Sequence, residues 1–362
     1  MCVGLGTVQC ASVGRAADTI AFADANAVKM LRVPVPTYLQ LSENIRRATG
    51  ASQVELTERV QSLWGGYGEL CRVQLCGVTS ASAIVKFVTP PSEREFAHDP
   101  SKLRSHRRKL RSYAVELAFY ESFARTCDAA CRVPALLHGE ARADRFLFVL
   151  EDLDQAGFPA RKTLCTPQEI AACLEWLAAF HARFLGVGPD GLWKVGTYWH
   201  LATRPDEFAR LSAGELRGAA ARIDQRLNAA RFRSLVHGDA KLENFCFSRS
   251  GRAVAAVDFQ YVGGGVGVKD VAYFLSSCLS PAECEQHIPG YLELYFSALR
   301  AALGSQGNPF ASEADALERE WRALFAWAWS DFYRFLLGWA PAYAAGDTYS
   351  QKQLDVVLSS LR

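Results

Sequence analysis

LVHGDAKLENFCFSRSGRAVAAVDFQ, residues 235–260, decides how the rest of the chain is read. It opens with His237-Gly238-Asp239, places Asn244 five residues after the aspartate, and closes on Asp258 inside the apolar run 253–259. Two short β-type segments, 245–247 and 253–257, flank Ser248-Arg249-Ser250-Gly251, a polar turn ending in glycine. A hairpin of this kind sets Asn244 beside Asp258. The three side chains then offer one carboxylate able to orient and deprotonate a hydroxyl, plus the hard oxygens that a magnesium ion prefers. The bland alternative is a buried Asp and Asn serving as turn and cap residues, which explains any one of them but poorly explains all three at this spacing.

The pattern H-G-D-x-x-x-x-N followed by an aspartate on a hydrophobic strand resembles the aminoglycoside phosphotransferase and choline kinase-like superfamily of small-molecule kinases. More distantly it resembles the protein-kinase catalytic loop. The resemblance implies Asp239 as catalytic base, Asn244 and Asp258 as magnesium ligands, and His237 as a support. Lys241 stands where protein kinases carry a phosphate-facing lysine. The ecdysteroid kinase-like branch is expected to carry tryptophan there, so the branch stays open.

Upstream, strands are expected over 54–63 and 70–77, flanking Trp64-Gly65-Gly66-Tyr67-Gly68. Glycines let backbone N–H groups approach phosphate oxygens, which makes Gly65, Gly66 and Gly68 candidate nucleotide contacts. An ordinary hairpin turn also uses glycines. The apolar strand 83–88 encloses one lysine, Lys86, and a helix over 113–123 carries Glu116. A lysine on a half-buried strand commonly snorkels to solvent. The resemblance instead makes Lys86 the phosphate-binding lysine held by Glu116, which Phe119-Tyr120 follows as in the family, and leaves Glu121 as a solvated acid. Residues 101–111 hold six permanent cations (Lys102, Arg104, Arg107, Arg108, Lys109, Arg111) and read chiefly as a solvated face. The functional alternative has Arg108 or Arg111 reaching phosphates. A buried strand over 145–153 ends in Leu150-Glu151-Asp152, which the resemblance makes the hinge whose backbone bonds an adenine edge.

Downstream, Thr166-Pro167-Gln168-Glu169 is a capping box with proline at the first helical position, and Gly186 stops the helix. His181 on its apolar face is expected to be a hydrogen-bonded core histidine. The segment 191–208, rich in Trp, Tyr and Arg, is expected either to line the acceptor site or to pack as a surface loop. Asp270 opens a helix as a cap, and the resemblance has it brace the catalytic loop. Helical patterns cover 291–303, 314–337 and 352–361. Trp193, Trp199, Trp327, Asp331 and Arg334 are candidates for an aromatic and acidic wall around an acceptor, and a cationic acceptor suits ring faces.

At 362 residues the chain favours two lobes. The expected division is an unassigned extension 1–33, a small lobe 34–152 and a helical lobe 153–362. A net charge of +2 provides no global field for nucleic acid or an anionic membrane, so neither is expected as a partner. The 11 cysteines are scattered without metal spacing, as in a cytoplasmic protein with reduced thiols. No apolar run reaches the roughly 18 to 20 residues of a membrane helix. The N-terminal stretch lacks a secretory signal pattern, while its scarcity of acids before Asp18 leaves an organelle transit peptide open.

The expected fold is α+β, protein kinase-like and bilobal, with an antiparallel sheet in one lobe, helices in the other and ATP between them. The expected reaction is ATP- and magnesium-dependent phosphorylation of a hydroxyl on a small metabolite: choline-like, aminoglycoside-like, a sugar or a sterol alcohol. A protein kinase is one alternative, opposed by Asp258-Phe259-Gln260 in place of a glycine-ended triplet and by the lack of an A-P-E segment. A non-catalytic nucleotide-binding module is the other, opposed by the presence of Lys86, Glu116, Asp239, Asn244 and Asp258 together.

Overall fold

The computed structural model describes residues 35–344 and 346–362. The expectations for residues 1–33, including the transit peptide, lie outside the described residues. A helix, α1 (Val35–Thr49), leads into the strands β1 (Gln53–Ser62), β2 (Gly68–Cys76) and β3 (Ser82–Val88). Helix α2 (Pro100–Ser122) follows, then β4 (Leu136–Arg142) and β5 (Arg145–Glu151). The five strands form one sheet in the order β1-β2-β3-β5-β4, every neighbour antiparallel.

Alternation along the strands gives the sheet two apolar faces. Val85, Leu147 and Val149 pack with Leu41 and Ile45 of α1 on one side. Val88, Phe146, Phe148 and Leu150 join the main core on the other. Lys86 pairs with Phe148 across β3 and β5, so the same alternation delivers the lysine to the α2 side.

Two elements in this first half depart from expectation. Helix α2 begins thirteen residues before 113, because the Asp99 carboxylate caps the N–H groups of Ser101 and Lys102, and Pro100 opens the first turn. The basic run therefore lies on the same helix as Glu116; Lys and Arg are good helix formers even without an apolar stripe. Strand β4 carries no clear alternation in LLHGEAR, and Gly139 in it lies so close to α2 that a Cβ would sit 2.6 Å from the Leu117 side chain.

The helical lobe contains α3 (Pro167–Arg183), α4 (Pro205–Arg210) and α5 (Glu215–Asn228). Short strands β6 (Ser234–Val236), β7 (Phe245–Phe247), β8 (Val254–Ala256) and β9 (Gly263–Gly265) come next. The chain ends in α6 (Val268–Cys278), α7 (Pro281–Ser305), α8 (Ala314–Trp339), α9 (Pro341–Ala344) and α10 (Thr348–Leu361). The Thr166–Glu169 capping box starts α3 as expected. A second one, Ser280 with Glu283, starts α7 ten residues ahead of the expected 291. Helix α5 was not expected, although Leu216, Ala219, Ala220, Ile223 and Leu227 form its buried stripe.

The expected α+β plan, an antiparallel sheet followed by a mainly helical half, is thus the one observed. Among the described residues no helix is long and apolar enough to cross a membrane, and the nine described cysteines are free thiols.

Candidate active site

The β7–β8 hairpin forms as the turn sequence dictates, with Phe245 opposite Ala256 and the Val257 N–H donating to the Asn244 carbonyl at 3.0 Å. Asn244 and Asp258 are therefore brought to the same end of the hairpin. The Asn244 amide donates to the Asp239 carbonyl at 2.7 Å and to its carboxylate at 3.2 Å. Asp258 takes a left-handed backbone conformation, φ 68°, uncommon for a residue with a side chain. That turn sends Phe259 into the core, where its ring stacks on Phe119 of α2 at 4.0 Å and lies 4.5 Å from His237.

His237 and Asp270 hold the loop from beneath. The His237 Nδ1 accepts the Asp239 N–H at 3.2 Å while its Nε2–H donates to the Val257 carbonyl at 3.0 Å, and burial lowers its pKa and keeps the ring neutral. Gly238, at φ 79°, has no room for a side chain: a Cβ would lie 2.1 Å from the Tyr261 carbonyl oxygen. The Asp270 carboxylate accepts the N–H groups of His237 at 2.5 Å and Gly238 at 2.9 Å. It is not the helix cap, which is Gly267; it is the third residue of α6. His181 is the buried, hydrogen-bonded core histidine expected, yet it has a titratable companion that was not foreseen. One ring nitrogen meets Asp270 at 3.1 Å and the other the Tyr295 hydroxyl at 2.8 Å.

Across from this loop, the Lys86 ammonium lies 2.7 Å from Glu116 and 3.8 Å from Asp258. Burial alone lowers its pKa, but the two carboxylates outweigh burial and hold it above its ordinary value. Burial pushes Glu116 up to about 7 against the pull of Lys86. Glu121, the rejected alternative, is exposed. Burial also drives Asp239 up to about 7, with Lys241 opposing the shift and Asp258 reinforcing it. A carboxyl poised there suits proton abstraction near neutral pH.

The glycine turn sits over α2. Gly65 and Gly66 have positive φ, and the Lys109 ammonium donates to the Trp64 carbonyl at 2.7 Å. Gly68 is fixed by strand pairing instead, because a Cβ there would lie 2.0 Å from the Phe87 carbonyl oxygen. At the end of β5, the Glu151 carboxylate pairs with Arg132 and the Asp152 carboxylate with Arg72 and Ser82. Their side chains are engaged as local braces, and Leu150 is buried in the core. Any base readout at this hinge falls to the backbone.

The acceptor wall needs correction. Asp331 and Arg334 are buried and bond each other at 2.8 Å, with the Lys269 ammonium 3.3 Å from Asp331. Burial would raise the Asp331 pKa, but Lys269 and Arg334 hold it low. No acid is left there for a cationic acceptor. Trp199 is fully buried against Tyr273 and Phe332, and Trp327 packs against the helical core. Trp193 alone of the five stays near the cleft, its indole N–H donating to the Gln260 carbonyl at 2.8 Å.

Residues missed from sequence include Ser112 and Gln260, which link α2 to Asp258. The Ser112 hydroxyl donates to Gln260 at 3.0 Å, and the Gln260 amide donates to the Asp258 carboxylate at 2.7 Å. Tyr198 and Arg204 belong to the segment 191–208 expected to line the acceptor site or pack as a surface loop, and Tyr273 was missed: the Tyr198 ring lies 5.5 Å from Tyr273 and 5.5 Å from the Arg204 guanidinium.

The sequence model of the ecdysteroid kinase-like family matches residues 208–307, which hold Asp239, Asn244, Asp258 and Asp270. This segment is similar to the ecdysteroid kinase-like family. The match includes Lys241, so the residue at that position does not bar a likeness to that branch. The chain also aligns with solved aminoglycoside phosphotransferases and an amicoumacin kinase. The amicoumacin kinase hAmiN in complex with AMP-PNP, Ca2+ and Ami is 14% identical, over 88% of this chain and 96% of that one, with a TM-score of 0.48. A thermostable mutant of the aminoglycoside phosphotransferase APH(4)-Ia is 13% identical, over 88% and 98%, with a TM-score of 0.45. The aminoglycoside phosphotransferase APH(3'')-Id from Streptomyces rimosus is 14% identical, over 84% and 98%, with a TM-score of 0.40. No curated protein matches the sequence.

Proposed function

We propose that this protein transfers the γ-phosphoryl group of ATP, with magnesium, to a hydroxyl of a small metabolite. One observation carries the reading: the buried Lys86–Glu116 pair, 2.7 Å apart, meets Asp258, whose charge also acts on Asp239, itself bonded to Asn244.

The donor set fits a hard divalent cation. The Asn244 amide nitrogen is engaged by Asp239, which leaves its Oδ1 as a neutral oxygen donor, and Asp258 uses one carboxylate oxygen on Gln260 and Lys86 and keeps the other for a ligand. Asn244 and Asp258 would hold the ion, which neutralises charge on the transferred phosphoryl group when bound. Asp239 accepts the acceptor's hydroxyl proton as that oxygen bonds to the γ-phosphorus. The bond from the γ-phosphorus to the bridging oxygen breaks, and ADP leaves with the electron pair. Lys86 balances phosphate charge, and Glu116 keeps the lysine in place.

The chain between Asp258 and α6 comprises only residues 259–267, and three of these form β9. So short a connection gives little room to present a polypeptide substrate there, which favours a small acceptor over a protein. Replacing Asp239→Asn is expected to reduce turnover about 10²- to 10⁴-fold while calorimetry still detects MgATP binding. Unchanged turnover would remove Asp239 from the role of base.

A further inference from the structure

Helix α2 presents Ser105, Arg108, Lys109, Ser112 and Glu116 along one face, the i, i+3, i+4, i+7 and i+11 positions of a single stripe. Glu116 and Ser112 are already accounted for by Lys86 and Gln260. Three cations of the basic run are neutralised, Arg104 by Asp206, Arg107 by Glu93 and Lys102 by Asp99, while Arg111 donates to the Gly191 and Leu192 carbonyls and lies over the Trp193 ring. Arg108 and Lys109 are placed differently. Among the described residues no carboxylate pairs with either, and their hydrogen bonds go to neutral oxygens, the Thr203 carbonyl and Ser105 hydroxyl for Arg108 and the Trp64 carbonyl for Lys109.

Both are half-buried, and the Thr203 carbonyl that Arg108 bonds immediately precedes Arg204, whose charge acts on both. The Arg204 guanidinium lies 5.5 Å from the Tyr198 ring and 5.9 Å from the Tyr261 ring, and Tyr261 stacks on Trp193 at 6.0 Å. Glu207 is 3.5 Å from Arg204 and is shared with Arg210 at 3.9 Å. Three cations thus converge near two carboxylates that are each shared with a further arginine, Asp206 with Arg104 and Glu207 with Arg210. Like charges drawn together out of water are costly unless a ligand compensates them. Tyr198 connects this cluster to the catalytic loop, since its pKa, raised chiefly by burial, is pushed further up by Asp239, while Tyr273 and Arg204 draw it down.

Resting on the phosphotransfer reading above, we infer that Arg108, Lys109 and Arg204 seat an anionic group of the acceptor. The acceptor is then a hydroxyl compound bearing a carboxylate or comparable anion, its body lying on Tyr198, Tyr261 and Trp193. The buried Asp331–Arg334–Lys269 set offers nothing to an amine.

The test uses matched hydroxyl compounds: glycerate, lactate and para-hydroxyphenylacetate, their methyl esters, and ethanolamine with choline. Binding is measured by calorimetry with and without MgADP, and phosphate transfer with labelled MgATP, on the wild type and on R108Q/K109M and R204Q variants. The carboxylates are expected to bind at least about tenfold tighter than their esters, as charge-assisted contacts require. Both variants should reduce that preference to near parity, with ATP affinity moving less than twofold. Equal or tighter binding of esters or amines to the wild type overturns the inference, as does a variant effect confined to ATP, which would assign these cations to the nucleotide. A protein that prefers carboxylates yet neither binds MgATP nor transfers phosphate retains the anion seat and loses the phosphotransfer reading.

Discussion

Two lysines, one on α2 and one paired with an acid of α2, are treated in opposite ways. Lys86 on β3 is only 5% exposed and lies between Glu116 and Asp258, which hold its pKa above the usual value against burial. Lys109 on α2 sits over the Tyr67 ring at 4.2 Å beside Arg108, with Arg204 also acting on it, and burial with those like charges lowers its pKa to about 8. Withdrawal from water acts on both; the presence or absence of carboxylates decides the outcome. A cation with built-in counter-charges has its position fixed before any ligand arrives, whereas one lacking them is completed by what binds.

The most severe way to break this contrast is Lys86→Met, which leaves Glu116 and Asp258 facing each other without a cation. A kcat loss of about 10²- to 10³-fold is expected, read by steady-state kinetics with acceptor KM little changed. Retention of more than a fifth of the activity would show that the pair is scaffolding alone. Next comes Gly68→Ala, which presses a methyl into the Phe87 carbonyl next to Lys86. It should lower unfolding free energy by about 1–3 kcal/mol in a denaturant titration, and an unaltered midpoint would mean that β2 and β3 slide freely.

Glu116→Gln keeps the shape and removes the charge, so a loss of roughly tenfold in kcat, matching the modest worth of one charged partner, is expected. The smallest effect concerns pH. Because the Lys109 pKa is lowered to about 8, its charge is present below pH 8 and lost above it. Affinity for a carboxylate acceptor should then weaken by about fivefold from pH 7 to 9, with the Arg108 and Arg204 charges persisting throughout. Lys109→Arg should flatten that profile, and a flat wild-type profile would separate Lys109 from the acceptor.

The catalytic loop was legible because its chemistry is local. Asp239 and Asn244 are bonded within five residues, and the polar turn at 248–251 fixes where Asp258 must return. Alternation along 83–88 was likewise enough to isolate Lys86. What stayed hidden depends on partners remote in sequence. Nothing in 101–111 distinguishes Arg104 from Arg108, since the difference is made by Asp206 on α4 and the Thr203 carbonyl. Asp331 looked like a free acid because Lys269 lies on α6, 62 residues earlier. Strand β4 escaped notice because its glycine serves packing against α2, a demand invisible in its own residues.

One carboxylate described above ties together parts of the molecule that the chain keeps far apart. Asp270 belongs to α6, yet it grips two amides of the catalytic loop and a ring from α3. The loop therefore has no independent opening: its amide protons should exchange with heavy water as slowly as those of the interior helices, and only when the large lobe itself comes apart. A segment that would usually be the most mobile part of an enzyme is here timed by the least mobile one.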